Sequence, residues 1–331
     1  MSDAPDTSRS IGLVGGNALP GGVMMRTSRR VGVAVRQEAT GLIVTEGFDL
    51  HPPTGRWIRL PLARGIVAMR TALATGKEAM LIGDRLRWGA PEPSDGTDGD
   101  VPDDEPLSWG AKVLMVVGAV IGILVQVLAF RVAPIIIAKQ AGLTGAAFIV
   151  ADAAIRLALL LGMLLVMSML RPFRRILSYH GAEHQAIAAY EAGAPLTAAA
   201  AAGFTRFHPR CGTSFLVVSA VVSIGVYGVV LWATGNFSYV ALITTRIVLA
   251  PVVTAISFEI QRQAARLSGG RWRFLSAPGM WAQYLTTRPP GTEELEVAVA
   301  ALHEALRTTG ARTTHPDMLV VAAADLPSAA G

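Results

Sequence analysis

Apolar and polar positions follow one another differently in successive parts of the chain. In the first quarter the pattern is short-ranged. Val31–Arg36 (VGVAVR) and Gly41–Glu46 (GLIVTE) are brief β-branched runs separated by a few polar residues, which predicts a hairpin. From Leu62 to Leu81 the period lengthens to that of a helix, with Ile66, Met69, Leu73 and Met80 on or near one face. After a disordered tail over 1–10, residues 11–88 therefore read as a small soluble α/β unit. Ala90–Pro106 (APEPSDGTDGDVPDDEP) then offers Pro, Gly and acids with almost nothing to bury, predicting an acidic disordered linker over 89–107.

Long apolar runs dominate residues 108–260. Val113–Phe130 carries no charge and can continue through Pro134 towards Ala138. Phe148–Leu170 is long enough to span a bilayer despite Asp152 and Arg156, Ser214–Ala233 is clean, and Tyr239–Phe258 contains Arg246 and Pro251. Each approaches the roughly 20 residues a bilayer requires. The chain is thus expected to be mostly α, a polytopic membrane protein with about four transmembrane helices and a small N-terminal unit holding a β-hairpin and a helix. Asp152 and Arg156, four apart on one helix, can neutralise each other, whereas Arg246 has no partner in its own segment. A role in helix packing competes evenly with a functional role for these three. Past residue 260, Trp272, Phe274, Trp281 and Tyr284 among arginines suit an interfacial segment over 261–310. Within it, Glu293–Arg307 reads as a surface helix, followed by a loose tail over 311–331.

Flanking charges set the expected orientation. Arginines crowd the N-terminal unit, the start of the 171–213 connection (Arg171, Arg174, Arg175) and the C-terminal flank (Arg262, Arg266, Arg271, Arg273). The first interhelical connection has only Arg131 and Lys139. The positive-inside rule places both termini and the 171–213 loop in the cytoplasm, which an even number of spans permits. Composition agrees with the membrane assignment, since mean hydropathy is +0.45 while aromatics make up only 6%. The one cysteine, Cys211, rules out an internal disulfide. Residues 1–20 lack the basic start and unbroken apolar stretch of a signal peptide. The basic balance comes from dispersed arginines without interleaved aromatics, so nucleic acid is not an expected partner and the lipid bilayer is.

Chemistry concentrates in Tyr179-His180-Gly181-Ala182-Glu183-His184. On a helix His180 and His184 project from one face and can grip one metal ion, with Glu183 beside them to take a proton from metal-bound water. This is the H-x-x-E-H order of inverted zincins. A bland alternative is an interfacial helix whose histidines bond to backbone or to Glu191. Downstream, His208-Pro209-Arg210-Cys211-Gly212-Thr213 gives a short His–Cys ligand spacing, or equally a cap for the next span. Topology brings His208, Cys211 and Glu259 to the same membrane level as the two histidines, and Glu259 reads as a further ligand or as a partner of Arg262 or Arg266. The glycine-rich Gly15–Gly22 lacks the lysine and Ser/Thr of a P-loop and reads as a loop packed closely on the rest of the protein.

These segments together resemble the bacterial membrane family called domain of unknown function 1385. The resemblance is carried by GGNALPGGVMMR (Gly15–Arg26, including Gly15, Gly16, Met25 and Arg26), YHGAEH (Tyr179–His184), HPRCGTSF (His208–Phe215, with Arg210 and Thr213), SFE ending at Glu259, and PGMWAQYLTTRPP (Pro278–Pro290). It implies a metal-dependent enzyme of the bacterial inner membrane. The chain departs from the family's pattern at Gly21, where glutamate is usual, at Asn17, where glutamine is usual, and at Gln185, where lysine is common. The reading that follows is a zinc-dependent hydrolase at the cytoplasmic face with Glu183 as base. The alternatives are a scaffold with a closed structural metal site and, third, a transporter; substrate and oligomeric state are left open.

Overall fold

The computed structural model describes residues 14–51, 60, 62–89, 108–266, 277–307 and 320–322. The N-terminal tail, the linker stretch 90–107, Trp272 and Phe274 lie outside the described residues. Two units are distinguished, and each is described by itself.

The first unit draws on residues 1–90, 165–218 and 257–331. Its sheet has the order β1 (Gly15–Leu19), β2 (Gly22–Arg26), β3 (Arg30–Arg36), β4 (Ile43–Asp49), β5 (Val320–Ala322). The first four strands are antiparallel neighbours, and β5 runs parallel to β4. The hairpin expected over 31–46 is therefore present as β3–β4. The glycine-rich stretch, expected as a loop, is instead a second hairpin. Its turn is Pro20-Gly21, with Gly21 at φ +77° as a type II turn requires. Strand β5 likewise replaces part of the expected loose tail.

Alternation buries both faces of the sheet. Val23, Met25, Ala34 and Ile43 face one apolar cluster, while Met24, Val31, Val33, Val35 and Val44 face another. The second cluster is closed by α1 (Ala63–Trp88), the helix expected near 62–81. Of its buried positions, Gly65, Thr75, Ala79, Gly83 and Leu86, the last alone is large and apolar; Leu73 is 68% exposed. Close approach selects small residues here, since a Cβ on Gly83 would lie 3.1 Å from Leu19 Cδ1.

The other face is covered by α5 (Arg171–Glu191) and α11 (Thr292–Leu306). The helix expected around His180 and His184 is present and opens the 171–213 connection. One expectation changes: α11 is not a surface helix, since Leu295, Val297, Ala298, Val299, Ala300, Ala301 and Leu302 are all buried. After its acidic first turn the helix is apolar or small almost all round, the signature of a core helix. Gly32 lets it approach, because a Cβ there would collide with Ala301 O and Ala305 N. Arg30 ties β3 to Glu304 at 2.7 Å, and Arg36 reaches Glu296 at 3.0 Å.

The apolar runs form α2 (Trp109–Val127), a π-type turn Leu128–Val132, α3 (Ala133–Gln140), α4 (Gly145–Met169), α7 (Gly212–Thr234), α8 (Tyr239–Val248) and α9 (Ala250–Arg266). Among the described residues three helices are long and apolar enough to cross a membrane: Val116–Gln140, Gly145–Met169 and Gly212–Thr234, with mean hydropathy 2.4, 2.3 and 2.3. The α8–α9 pair, bent by 49°, makes a fourth if it counts as one span. Pro251 stands at the break, where its missing N–H and ring disfavour a continuous helix. Trp232 is 84% exposed, as a lipid-facing side chain would be.

The second unit takes residues 91–164 and 219–256. One carboxylate organises its charges. Asp152 meets Arg156 at 2.9 Å, as expected for i, i+4, and meets Arg246 at 2.7 Å, so the partner missing from Arg246's own segment comes from α4. Arg131 donates to Arg246 O at 2.7 Å and to Tyr227 Oη at 3.2 Å. Arg246 is fully enclosed by these contacts, which favours a packing role for the cluster.

Candidate metal centre

Helix α5 carries the centre because one of its faces is built to be covered. Tyr179, Gly181, Ala182, Glu183, His184, Ala186 and Ile187 are buried. Gly181 has no room for a side chain, since a Cβ would collide with Arg288 O, and Arg288 N donates to Leu177 O at 2.9 Å. The 286–290 segment is thereby laid against the helix. After Glu191 the helix stops at Gly193, φ +68°, with Ala194 N bonded to Ala189 O at 2.9 Å.

Hydrogen bonds fix the tautomers of both histidines. His180 Nδ1 lies 2.7 Å from Thr286 O, and His184 Nδ1 lies 2.5 Å from Arg206 O. A carbonyl oxygen can only accept, so each Nδ1 carries the hydrogen and each Nε2 presents a lone pair. His180 Nε2 is 3.2 Å from Cys211 Sγ, and the two rings are 4.5 Å apart, centre to centre. One ligand atom from each of His180, His184 and Cys211 lies within 4.8 Å of the other two. Cys211 is itself oriented: Thr213 offers its hydroxyl at 3.0 Å and its N–H at 3.4 Å to the sulfur, and Gln261 Nε2 donates to Cys211 O at 3.0 Å. Two imidazoles with backbone-anchored Nδ1–H groups and a thiol form a donor set that suits zinc.

Glu183 stands beside the cluster and belongs to neither an ion pair nor a helix cap. It is 4% exposed, and its Oε2 has no hydrogen-bond partner among the described residues. Burial pushes its pKa up to about 7, against the opposing pull of His180 and His208. Burial also lowers the pKa of His184 and of His208, favouring their neutral forms. Gly16 of β1 seals one side of the carboxylate, since a Cβ there would come 2.9 Å from Glu183 Cγ and Oε1. His180, Glu183, His184 and Cys211 line a cavity of about 610 Å³, together with Arg26 and Leu216.

The remaining ligand candidates stand outside the three-donor group. His208 is close, 5.7 Å ring to ring from His184, but Arg210 N donates to its Nδ1 at 3.3 Å and its Nε2 is 3.4 Å from Glu191. With both nitrogens engaged it stands outside the three-donor group. Glu259 is not at the cluster: it forms a two-pronged ion pair with Arg64, and neither Arg262 nor Arg266 takes that place. Arg210 pairs with Glu191. Of the positions departing from the family pattern, Gly21 faces Arg87 and is not part of the cavity wall, Asn17 lines it, and Gln185 donates to Phe204 O at 2.6 Å. Sequence reasoning missed Thr286 and Gln283. The buried Gln283 amide accepts from His208 N at 2.8 Å and donates to His208 O at 2.7 Å, clamping the segment that leads to Cys211. Their only prior signal was the PGMWAQYLTTRPP motif, read as interfacial; Trp281 and Tyr284 are exposed, but Ala282, Gln283, Thr286 and Thr287 are buried.

Fold and site together define a membrane protein that carries a buried histidine–cysteine cluster on a packed α/β unit. Residues 60–308 match the family described as a protein of unknown function (DUF1385), and the chain belongs to that family. It is 31% identical over 308 residues to the uncharacterized protein YqhQ of Bacillus subtilis (strain 168), covering 88% of this chain and 92% of that protein. No solved structure matches the chain.

Proposed function

We propose that the protein is a zinc-dependent hydrolase of the bacterial inner membrane, with its centre on the cytoplasmic side. The observation that carries this reading is the convergence of three donor atoms, from His180, His184 and Cys211, beside the unpartnered Glu183 carboxyl in one cavity. A divalent ion held by that set would supply Lewis acidity towards a carbonyl and towards water. The chain's own groups do the rest. Thr286 O and Arg206 O hold the imidazoles in the ligating tautomer, and Thr213 steadies the sulfur. Glu183, buried beside these donors, is the group placed to take or give a proton in the cavity. A closed structural site would need a fourth protein donor; His208 has both nitrogens engaged, and Glu183 is the group the hydrolase reading uses as base. That favours the enzyme over the scaffold.

Membrane topology follows from the first unit. Helix α5 lies between the second and third spans, α11 lies after α9, and the two pack in one core. They therefore share a side of the bilayer, so the chain between them crosses an even number of times. Since α7 is one crossing, the bent α8–α9 pair is the other, giving four spans. Arg171, Arg174 and Arg175 in the first turns of α5 support a cytoplasmic position for that side.

Metal analysis of the purified protein tests the reading. Wild type should carry roughly one divalent ion per chain, lost in His184→Ala and Cys211→Ala and kept in Glu183→Gln. A wild-type protein without metal, or equal content in His184→Ala, refutes it.

A further inference from the structure

We propose that the substrate of this centre is an extended polypeptide segment that adds to β1 as a further strand, an inference that rests on the hydrolase reading above. Among the described residues β1 is the outer strand of the sheet. Its register is fixed by the Leu19–Gly22 turn, so hydrogen-bonded pairs with β2 fall at Leu19–Gly22, Asn17–Met24 and Gly15–Arg26. The main-chain N–H and C=O groups of Gly16 and Ala18 consequently point away from β2. Those residues line the same cavity as His180, Glu183 and Cys211.

Edges of this kind are usually blunted by charge, proline or a covering element. Gly15-Gly16-Asn17-Ala18 has none of these in its own sequence and is small at every position except Asn17. A second observation points to an occupant: the Glu183 carboxyl, nine-tenths buried and with Oε2 unpartnered, faces the cavity next to Gly16. A strand added about 4.8 Å outside β1 would run past that carboxyl, with its peptide groups alternately bonded to Gly16 and Ala18. Main-chain pairing recognises a polypeptide whatever its sequence; a lipid headgroup has nothing to offer these donors and acceptors in series.

The test uses the full chain in lipid nanodiscs and a displayed pool of random peptides about ten residues long. Wild type should enrich peptides over empty nanodiscs. Ala18→Pro removes the outward N–H without touching the β1–β2 ladder, and an edge strand tolerates proline. It should weaken the enriched peptides about tenfold or more, while Cys211 stays protected from thiol reagents. N-methylation of alternate peptide bonds should cause the same loss on wild type, and this arm decides the matter if Ala18→Pro proves misfolded. Absence of enrichment, or binding indifferent to both changes, overturns the proposal. Because the pairing is main-chain, peptides should still bind chelator-treated protein. Ala18-dependent binding by a wild type that never holds metal would sink the hydrolase reading alone, whereas a metal-loaded protein that enriches nothing would sink this one alone.

Discussion

Replacing Glu183 by glutamine in the metal-free protein should change how stability depends on pH, and the structure sets both sign and size. The carboxyl titrates near 7 in the folded protein against 4.5 for the free group. A carboxyl raised by folding binds its proton more tightly in the native state. Below about pH 4.5 both states are protonated and Glu183 costs nothing; between 4.5 and 7 the unfolded state ionises while the native state does not, and stability falls; above 7 the loss is complete. At ~1.36 kcal/mol per pH unit, the interval of about 2.5 units amounts to about 3 kcal/mol. Glutamine has the shape of the neutral acid and does not titrate. Any constant cost of burying its amide shifts the whole curve, so the slope is diagnostic. Wild type and Glu183→Gln, both stripped with chelator in detergent, would be unfolded at a series of pH values while a thiol reagent reports exposure of Cys211. That residue is the chain's one cysteine and is buried. Comparing the two proteins at each pH cancels the intrinsic reactivity of the thiol. The variant should gain about 3 kcal/mol on wild type between pH 4 and pH 8; curves that stay parallel across that range refute the buried, unpaired environment assigned to Glu183.

Three other outcomes are expected. Gly16→Ala places a methyl 2.6 Å from Met24 O and 2.9 Å from Glu183, and should cost about 1–3 kcal/mol in chelator-treated protein, whereas Gly15→Ala, with nothing within 4 Å, should stay within about 0.5 kcal/mol; thermal unfolding compares them. Glu259→Ala should leave metal content at the wild-type level, because that carboxylate is held by Arg64 rather than by the centre, and loss of the ion would show the assignment to be wrong. Asp152→Asn leaves Arg156 and Arg246 without their shared carboxylate and should destabilise the membrane unit by about 3–5 kcal/mol, read as a lowered unfolding midpoint in detergent.

Most readings that rested on local periodicity hold in the structure. The first three apolar runs are long helices and the fourth is a bent pair, Val31–Glu46 lies in a hairpin, and two histidines four apart on α5 do share a face. What the chain did not disclose are relations set by tertiary packing. The residues that fix the imidazole tautomers act through main-chain carbonyls at Thr286 and Arg206, and a carbonyl has no residue type to recognise. Helix α11 read as a surface helix because Glu293 and Glu294 open it; those acids suit the positive helix N-terminus, and the burial begins one turn later. In α1 the large apolar residues Ile66, Leu73 and Met80 misled: they are exposed, and the helix is buried mostly at small positions, with Leu86. Glu259 was read as a ligand from its place at the end of a span, but position along a helix does not determine the direction in which a carboxylate points, and it pairs with Arg64 instead.

Strands from before the first span, a helix from between the second and third, and a helix from after α9 are interleaved in one apolar core. During synthesis the ribosome delivers these parts in an order that leaves the early ones unfinished for most of translation. The sheet emerges with one face bare, and α5 is released after the first two membrane crossings with nothing to cover its histidine-bearing side. Only when α10 (Ala277–Thr286) and α11 leave the exit tunnel can Gln283, Thr286 and the buried alanines close over it. Maturation of the centre is thereby coupled to completed insertion of every transmembrane segment, and a nascent chain arrested before α11 would display apolar surface for chaperones and proteases to find.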